Sequence, residues 1–390
     1  MEKEKIGLYI HIPFCKKICN YCDFPKRVSS IENQEKYIKA LIKELDCVIP
    51  LLNKYSIKSI YIGGGTPSSV PNYLLRSLLS SIAQKLVLDE VDEFSIEANP
   101  EDIDDEFVKT IIENKINRLS IGVQSFNSNV QKIINRKSDY LDLKNKFNLL
   151  HQHNFTNINL DYMYNILDLN NEELIKDLDL FISLNPTHIS AYSLILEEKT
   201  VLHNLFLKNQ YNLLDPDKEA DSYYLIQNHL EKNGYIQYEI SNFCQKNHES
   251  IHNIIYWSNE RYLGIGLSGS SYLENYRFSN SSTLSEYLNY VELLDDITSV
   301  ESLIDKTSYK ENIASKEEVE YQIITNLRMT KGIDLKNFSK RFGYEFISYN
   351  PTSIKWLVDN SYCTLTNDEF YINKNYLYLS NQIINKILDK

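Results

Sequence analysis

Six short runs of β-forming residues alternate with amphipathic helical patterns over the first half of the chain, and this constrains the fold more than any other feature of the sequence. The spacing predicts strands over 6–12, 59–62, 93–98, 118–123, 157–163 and 188–194. Helices are predicted over 34–52, 73–85, 104–114, 128–134, 141–153 and 172–184. The first helix carries Tyr37, Leu41, Leu45 and Val48 at spacings of four, four and three, one face of a 3.6-residue period. Parallel strands need helical crossovers, so six βα repeats predict a parallel sheet in an α/β domain. The strands are read as lacking strict alternation, the expectation for a sheet buried on both faces.

After about residue 196 the pattern changes. A helix is expected over 218–233, a strand over 238–243, and a Gly-rich stretch over 262–273. Helices near 317–327, 335–342 and 353–359, strands near 362–366 and 369–373, and a last helix over 380–388 suggest a winged-helix-like module. The polar stretch 305–315 reads as a linker, which divides the chain into 1–235, 236–305 and 306–390.

The 390 residues are 43% hydrophobic and 24% charged, a globular composition, and no run approaches the roughly 18 apolar residues of a membrane span. Met1-Glu2-Lys3-Glu4-Lys5 runs straight into a strand with no signal-like apolar region, so the expected compartment is the cytoplasm. The formal net charge of −12 argues against nucleic acid as a partner. Residues 301–390, with 12 Lys+Arg and 12 Asp+Glu, offer no basic face despite the winged-helix pattern.

Three of the six cysteines, Cys15, Cys19 and Cys22, fall within eight residues in the loop after the first strand, spaced C-x3-C-x2-C. Thiolates suit Fe–S clusters and zinc. A [4Fe–4S] cluster normally takes four cysteines, so three on one loop would leave one iron open to a small molecule. The alternatives are a zinc site completed by a residue such as His11, or a chance grouping of thiols.

With its flank Tyr9-Ile10-His11-Ile12-Pro13-Phe14, the segment resembles the radical S-adenosylmethionine (SAM) superfamily, in which SAM chelates the open iron. Within it the flank looks specifically like the anaerobic coproporphyrinogen III oxidase family, which holds the oxidase proper and the heme chaperone HemW subfamily. The resemblance implies a partial (β/α)6 TIM-type barrel with a smaller α+β, winged-helix-like C-terminal domain. It also implies a [4Fe–4S] cluster on Cys15, Cys19 and Cys22. Ile62-Gly63-Gly64-Gly65-Thr66-Pro67 ends a predicted strand, where glycines let backbone approach a ligand closely. By resemblance Gly64, Gly65 and Thr66 contact SAM, and Tyr9, Glu97, Gln124, Arg136 and Asp161 join them. After Asp161 the chain departs from the family, with Asn165–Asn170 in place of Gly-Leu-Pro-Gly-Gln.

Two features separate the subfamilies. The oxidase carries a fourth cysteine two residues past the third, where this chain has Phe24. The chaperone carries H-N-x-x-Y-W, matched by His252-Asn253-Ile254-Ile255-Tyr256-Trp257. An imidazole can ligate heme iron and Tyr256 and Trp257 can offer flat faces to a porphyrin, whereas a lone His among aromatics can also be a packed core residue. Another family histidine is replaced by Ser270, and His203 and His248 have no motif support. The expected function is therefore that of a heme chaperone, with heme and heme-accepting proteins, membrane-associated ones included, as partners. The alternatives are coproporphyrinogen III oxidative decarboxylation, or radical SAM chemistry on another substrate.

Overall fold

The computed structural model describes residues 3–389. Strands β1 (Lys5–Ile12), β2 (Ser56–Gly64), β3 (Glu93–Ala98), β4 (Arg118–Gln124), β5 (Ile158–Tyr164) and β6 (His188–Ser193) run parallel in that spatial order. Between them cross α1 (Ile31–Leu52), α2 (Asn72–Lys85), α3 (Asp105–Glu113), α4 (Ser128–Ile134), α5 (Tyr140–Gln152) and α6 (Asn171–Ser183). Side-chain caps start the helices: Ser30 accepts from Asn33 N, Asp104 from Phe107 N, and Asn170 forms a capping box with Glu173.

Contrary to the expectation of unalternating strands, every one of the six alternates. In β1, Ile6, Leu8, Ile10 and Ile12 are fully buried in the apolar core beneath the helices, while Gly7, Tyr9 and His11 point inward. In β3, Phe94 and Ile96 face the helices, and Glu93, Ser95 and Glu97 face inside. Both faces are buried, but only one is apolar, because the barrel interior is lined by polar and aromatic groups that bond to one another.

After α7 (Val201–Leu207) and α8 (Pro216–Lys232), the expected strand over 238–243 splits into β7 (Ile236–Gln237) and β8 (Asn242–Cys244), and β8 pairs antiparallel with β6. Next comes α9 (Ile251–Trp257), which carries the HNxxYW segment. The Gly-rich stretch forms β9 (Tyr262–Ile265) and β10 (Ser270–Leu273), and β9 lies parallel to the free edge of β1.

β11 (Tyr276–Ser279), α10 (Leu284–Glu292) and α11 (Val300–Ile304) follow. Residues 305–315 are not the expected linker. Within them β12 (Tyr309–Asn312) pairs with β11 and ends a twelve-stranded sheet. Its sequence, Tyr-Lys-Glu-Asn, is that of a polar edge strand, which discourages further pairing and reads as loop composition.

The remainder is α12 (Ser315–Asn326), β13 (Ile333–Asp334), α13 (Leu335–Phe342), α14 (Pro351–Asp359), β14 (Cys363–Leu365), β15 (Glu369–Ile372) and α15 (Ser380–Leu388). These elements bury their own core, including Ile323, Phe338, Phe346, Leu357 and Phe370. Backbone bonds such as Thr330 N to Tyr238 O join this unit to the barrel.

Candidate SAM and iron–sulfur site

The cysteine loop is clamped at both ends. Arg27 N donates to Pro13 O and Cys15 N donates to Arg27 O, while buried Phe14 anchors the loop to Tyr37. Its middle rests on the end of α4: Asn20 N donates to Ile134 O, and its side-chain amide donates to Ile133 O at 2.7 Å. Asn135, left-handed at φ 57°, ends α4 and turns the chain so that Arg136 reaches back under the loop. Arg136 donates to Asn99 Oδ1, to Gly122 O and, at 3.5 Å, to Cys19 Sγ. Burial opposes its charge, but the Tyr21 hydroxyl and the Cys19 thiol hold it protonated, above the ordinary guanidinium value.

The glycine triplet has a packing reason beyond ligand approach. A Cβ on Gly64 (φ +120°) would fall 2.5 Å from the His11 ring, and one on Gly65 would fall 2.7 Å from Phe14 O and 3.0 Å from Cys15 Sγ. These glycines thus let the end of β2 touch the cysteine loop directly. Thr66 Oγ1 lies 3.8 Å from Cys15 Sγ.

Glu97, at the end of β3, accepts from Tyr61 OH at 2.9 Å and Gly64 N at 3.1 Å. Asp161 accepts from Asn159 Nδ2 at 2.8 Å. Burial raises both carboxyls, Glu97 to about 7 and Asp161 to about 6. Gln124 sits where the β4–β5 register shifts, at φ 74°, and accepts from Tyr192 OH at 2.6 Å. A non-glycine residue held there is strained, and such strain collects at ligand sites.

All three cysteines and Gly64, Gly65, Thr66, Glu97, Gln124, Arg136 and Asp161 line one cavity of about 540 Å³. Tyr9 lies one layer back, stacked on Tyr61 at 6.2 Å. The zinc alternative through His11 does not fit, because that ring is buried between Tyr9 OH (3.0 Å) and Pro25 O (2.9 Å). Among the described residues, no three His, Cys, Asp or Glu side chains are gathered closely enough for a single ion. The thiolates of a cluster bind different irons and stand further apart than the ligands of one ion.

His252 does not join this cavity. It is 1% exposed at the barrel floor, stacked on Tyr61 at 5.2 Å, with its ring nitrogens bonded to Ser59 Oγ and Tyr256 OH, each at 2.8 Å. Burial pushes its pKa down to about 3. In this structure His252, the expected heme ligand, packs in the core, and Tyr256, expected beside it at the porphyrin, is its hydrogen-bond partner. Trp257 gives its carbonyl to Asn326 Nδ2 and likewise lies outside the cavity. The sequence reading missed Asn99, which joins Arg136 to Thr66, and Tyr192, which holds Gln124. Asn99 directly follows Glu97-Ala98, and Tyr192 falls on the inward period of β6, a signal that alternation would have carried.

Residues 9–181 match the radical SAM superfamily. The heme chaperone HemW of Lactococcus lactis subsp. lactis (strain IL1403) is 34% identical over 388 residues, spanning 100% of this chain and 98% of the relative. The chain belongs to the heme chaperone HemW family. HemW of Bacillus subtilis (strain 168) is 32% identical over 381 residues, covering 97% of this chain and 98% of its own. Among solved structures, coproporphyrinogen III oxidase (HemN) from Escherichia coli, a radical SAM enzyme, aligns with a TM-score of 0.82 at 20% identity. That alignment covers 99% of this chain and 90% of HemN, a likeness of fold. As a radical SAM protein of the HemW family, the chain calls for a [4Fe–4S] cluster and SAM.

Proposed function

We propose that this protein is a heme chaperone that binds heme and passes it to acceptor hemoproteins, with a [4Fe–4S] cluster and SAM at the barrel mouth. The observation that carries this reading is the end-to-end 34% identity to a heme chaperone HemW. The rim supports it: where the oxidase pattern needs a cysteine, Phe24 stands 62% exposed beside the cavity.

When bound, the cluster supplies one-electron chemistry and an iron open to SAM. The rest falls to side chains. Cys15, Cys19 and Cys22 are the proposed cluster ligands, and burial raises the Cys15 thiol to about 11, so ligation releases protons. Arg136, fixed by Asn99 and Gly122, presents a partly buried positive charge for the carboxylate of SAM. Glu97 offers its ionised form to the amino group, and Asp161 and Gln124 supply polar contacts deeper in the cavity. Gly64, Gly65 and Thr66 flank the methionine part, and Tyr9 supports Tyr61 from behind.

Among the described residues no helix is long and apolar enough to cross a membrane. The cysteines are unpaired, which suits a reducing compartment, and the proposal includes the cytoplasm as the working site. Its acceptors include membrane-associated hemoproteins.

The test is anaerobic. Reconstituted protein is supplied with SAM, a reductant and either heme or coproporphyrinogen III, and an apo-hemoprotein is then added. The expected result is saturable heme binding and transfer, with no decarboxylated tetrapyrrole. Conversion of coproporphyrinogen III would overturn the chaperone reading in favour of the oxidase.

A further inference from the structure

His252 lies outside the cavity, yet its ring touches a side chain that lines it. Along β2, Ser59, Tyr61 and Gly63 fall on the inward face. Ser59 Oγ and Tyr256 OH hold the two ring nitrogens of His252, each at 2.8 Å, so the ring is fixed at both edges. The helix that carries it is pinned in turn: Glu93 accepts from Ile251 N and His252 N, and Trp257 O accepts from Asn326 Nδ2 of α12 at 2.7 Å. The imidazole held in this way lies against Tyr61, with ring centroids 5.2 Å apart and planes inclined by 26°. Tyr9 adds a second stack on Tyr61 at 6.2 Å. Gly7 keeps the space open, since a Cβ there would fall 3.2 Å from His252 Cε1.

Tyr61 carries this order into the cavity, which it lines together with Glu97. Its hydroxyl donates to Glu97 Oε1 at 2.9 Å, while Gly64 N donates to Oε2 at 3.1 Å. Each carboxylate oxygen thus has one donor of its own, which sets the plane of the group. Gly63 makes room for the pair: a Cβ on it would fall 2.8 Å from Tyr61 Cε1 and 2.9 Å from Glu97 Oε1. Flat rings in contact hold each other's orientation. A carboxylate aligned before its ligand arrives has lost its rotamer freedom on folding, so binding is spared that cost.

We propose that His252 is a positioning residue for SAM: its stack on Tyr61 holds the hydroxyl that aims Glu97 at the amino group of SAM. The HNxxYW segment then acts on the SAM site from the barrel floor, and α9 links that site to the C-terminal unit through Asn326. This rests on the reading of Glu97 as a SAM contact.

The experiment measures SAM affinity by calorimetry on the reconstituted full chain. Tyr61→Phe keeps the ring and removes only the hydroxyl, and it should weaken SAM binding about tenfold, the worth of one hydrogen bond to a charged group. His252→Leu and His252→Phe lose the same two hydrogen bonds and both fill the space, but only Phe keeps a flat face against Tyr61. We expect His252→Leu to bind SAM about fivefold more weakly and His252→Phe to stay within about twofold of wild type, although both unfold at lower urea. Once Glu97→Ala has removed the carboxylate, adding Tyr61→Phe or His252→Leu should weaken binding no further, whereas a general loosening of the fold would add its own loss. Equal affinities in His252→Leu and His252→Phe, wild-type affinity in Tyr61→Phe, or losses that add in full to that of Glu97→Ala would each overturn the assignment and leave Glu97 as a SAM contact. Unchanged affinity in Glu97→Ala would sink the reading of Glu97 itself, and the assignment with it.

Discussion

Glu93 and Glu97 stand four residues apart on the same inward face of β3, yet they belong to two different environments. At the floor, Glu93 accepts from Ser250 Oγ, Ser95 Oγ and the backbone N–H groups of Ile251 and His252, and lies 3.9 Å from Arg118 Nε. It caps α9 and holds it in place beneath the barrel. At the mouth, Glu97 has two donors and opens on the cavity. A saturated carboxylate holds structure together, whereas an unsaturated one at a cavity wall has capacity left for a ligand. Burial costs both, but only the floor recovers that cost within the protein itself.

The sharpest way to break this comparison is Glu93→Ala. It removes the α9 cap and leaves Arg118 buried without its counter-charge, so we expect a loss of about 3–5 kcal/mol, read as the shift of a urea unfolding curve. If Glu93→Ala proved no more damaging than Glu97→Ala, floor and mouth would not differ in kind. His252→Ala should cost about 2–4 kcal/mol through a cavity and two lost hydrogen bonds. At the mouth the effects move to ligand binding. Arg136→Ala should weaken SAM binding roughly 10–100-fold by calorimetry on the reconstituted protein, the worth of a charge-assisted contact. Glu97→Gln should change stability by less than about 1 kcal/mol below pH 4.5, where Glu97 is protonated in both states, but remove the rise in SAM affinity expected between pH 6 and 8, as Glu97 ionises with a pKa of about 7.

The pH dependence of stability gives the finest comparison, because the two ends have opposite signs. Glu97 rises from 4.5 to about 7 on folding, so the folded state holds the extra proton and stability falls as pH rises through that window. His252 drops from 6.5 to about 3, so the unfolded state binds the proton and stability falls as pH falls from 6.5 toward 3. The fall in stability of the cofactor-free protein between pH 4.5 and 7 should therefore become shallower in Glu97→Gln, with Asp161 and Glu239 supplying the remainder, while the loss below pH 6.5 from His252 persists.

Much of the fold was legible because the helix-facing positions of the six strands are mostly Ile, Leu, Val and Phe at regular intervals. The alternation went unread because Tyr9, Tyr61 and Tyr192 count as apolar in a pattern while serving as hydrogen-bonding groups in the barrel. The cysteine triplet and the residues at the strand ends were legible as local motifs, and one cavity gathers nearly all of them. The floor position of His252 was hidden for a different reason. A histidine followed by aromatics has the same local sequence whether it faces a porphyrin or packs in a floor, and only the long-range partners Ser59 and Tyr61 separate the two.

The placement of β9 against β1 has a consequence for the order of assembly. The strand made first acquires β2 soon after, but its other flank waits for residues 262–265, about 250 positions later. At typical synthesis rates that interval is roughly 10–50 s. Throughout it the nascent barrel carries an unpaired backbone edge and lacks the α9 floor, so the vulnerable period in the life of this protein falls on the ribosome, before its last third exists.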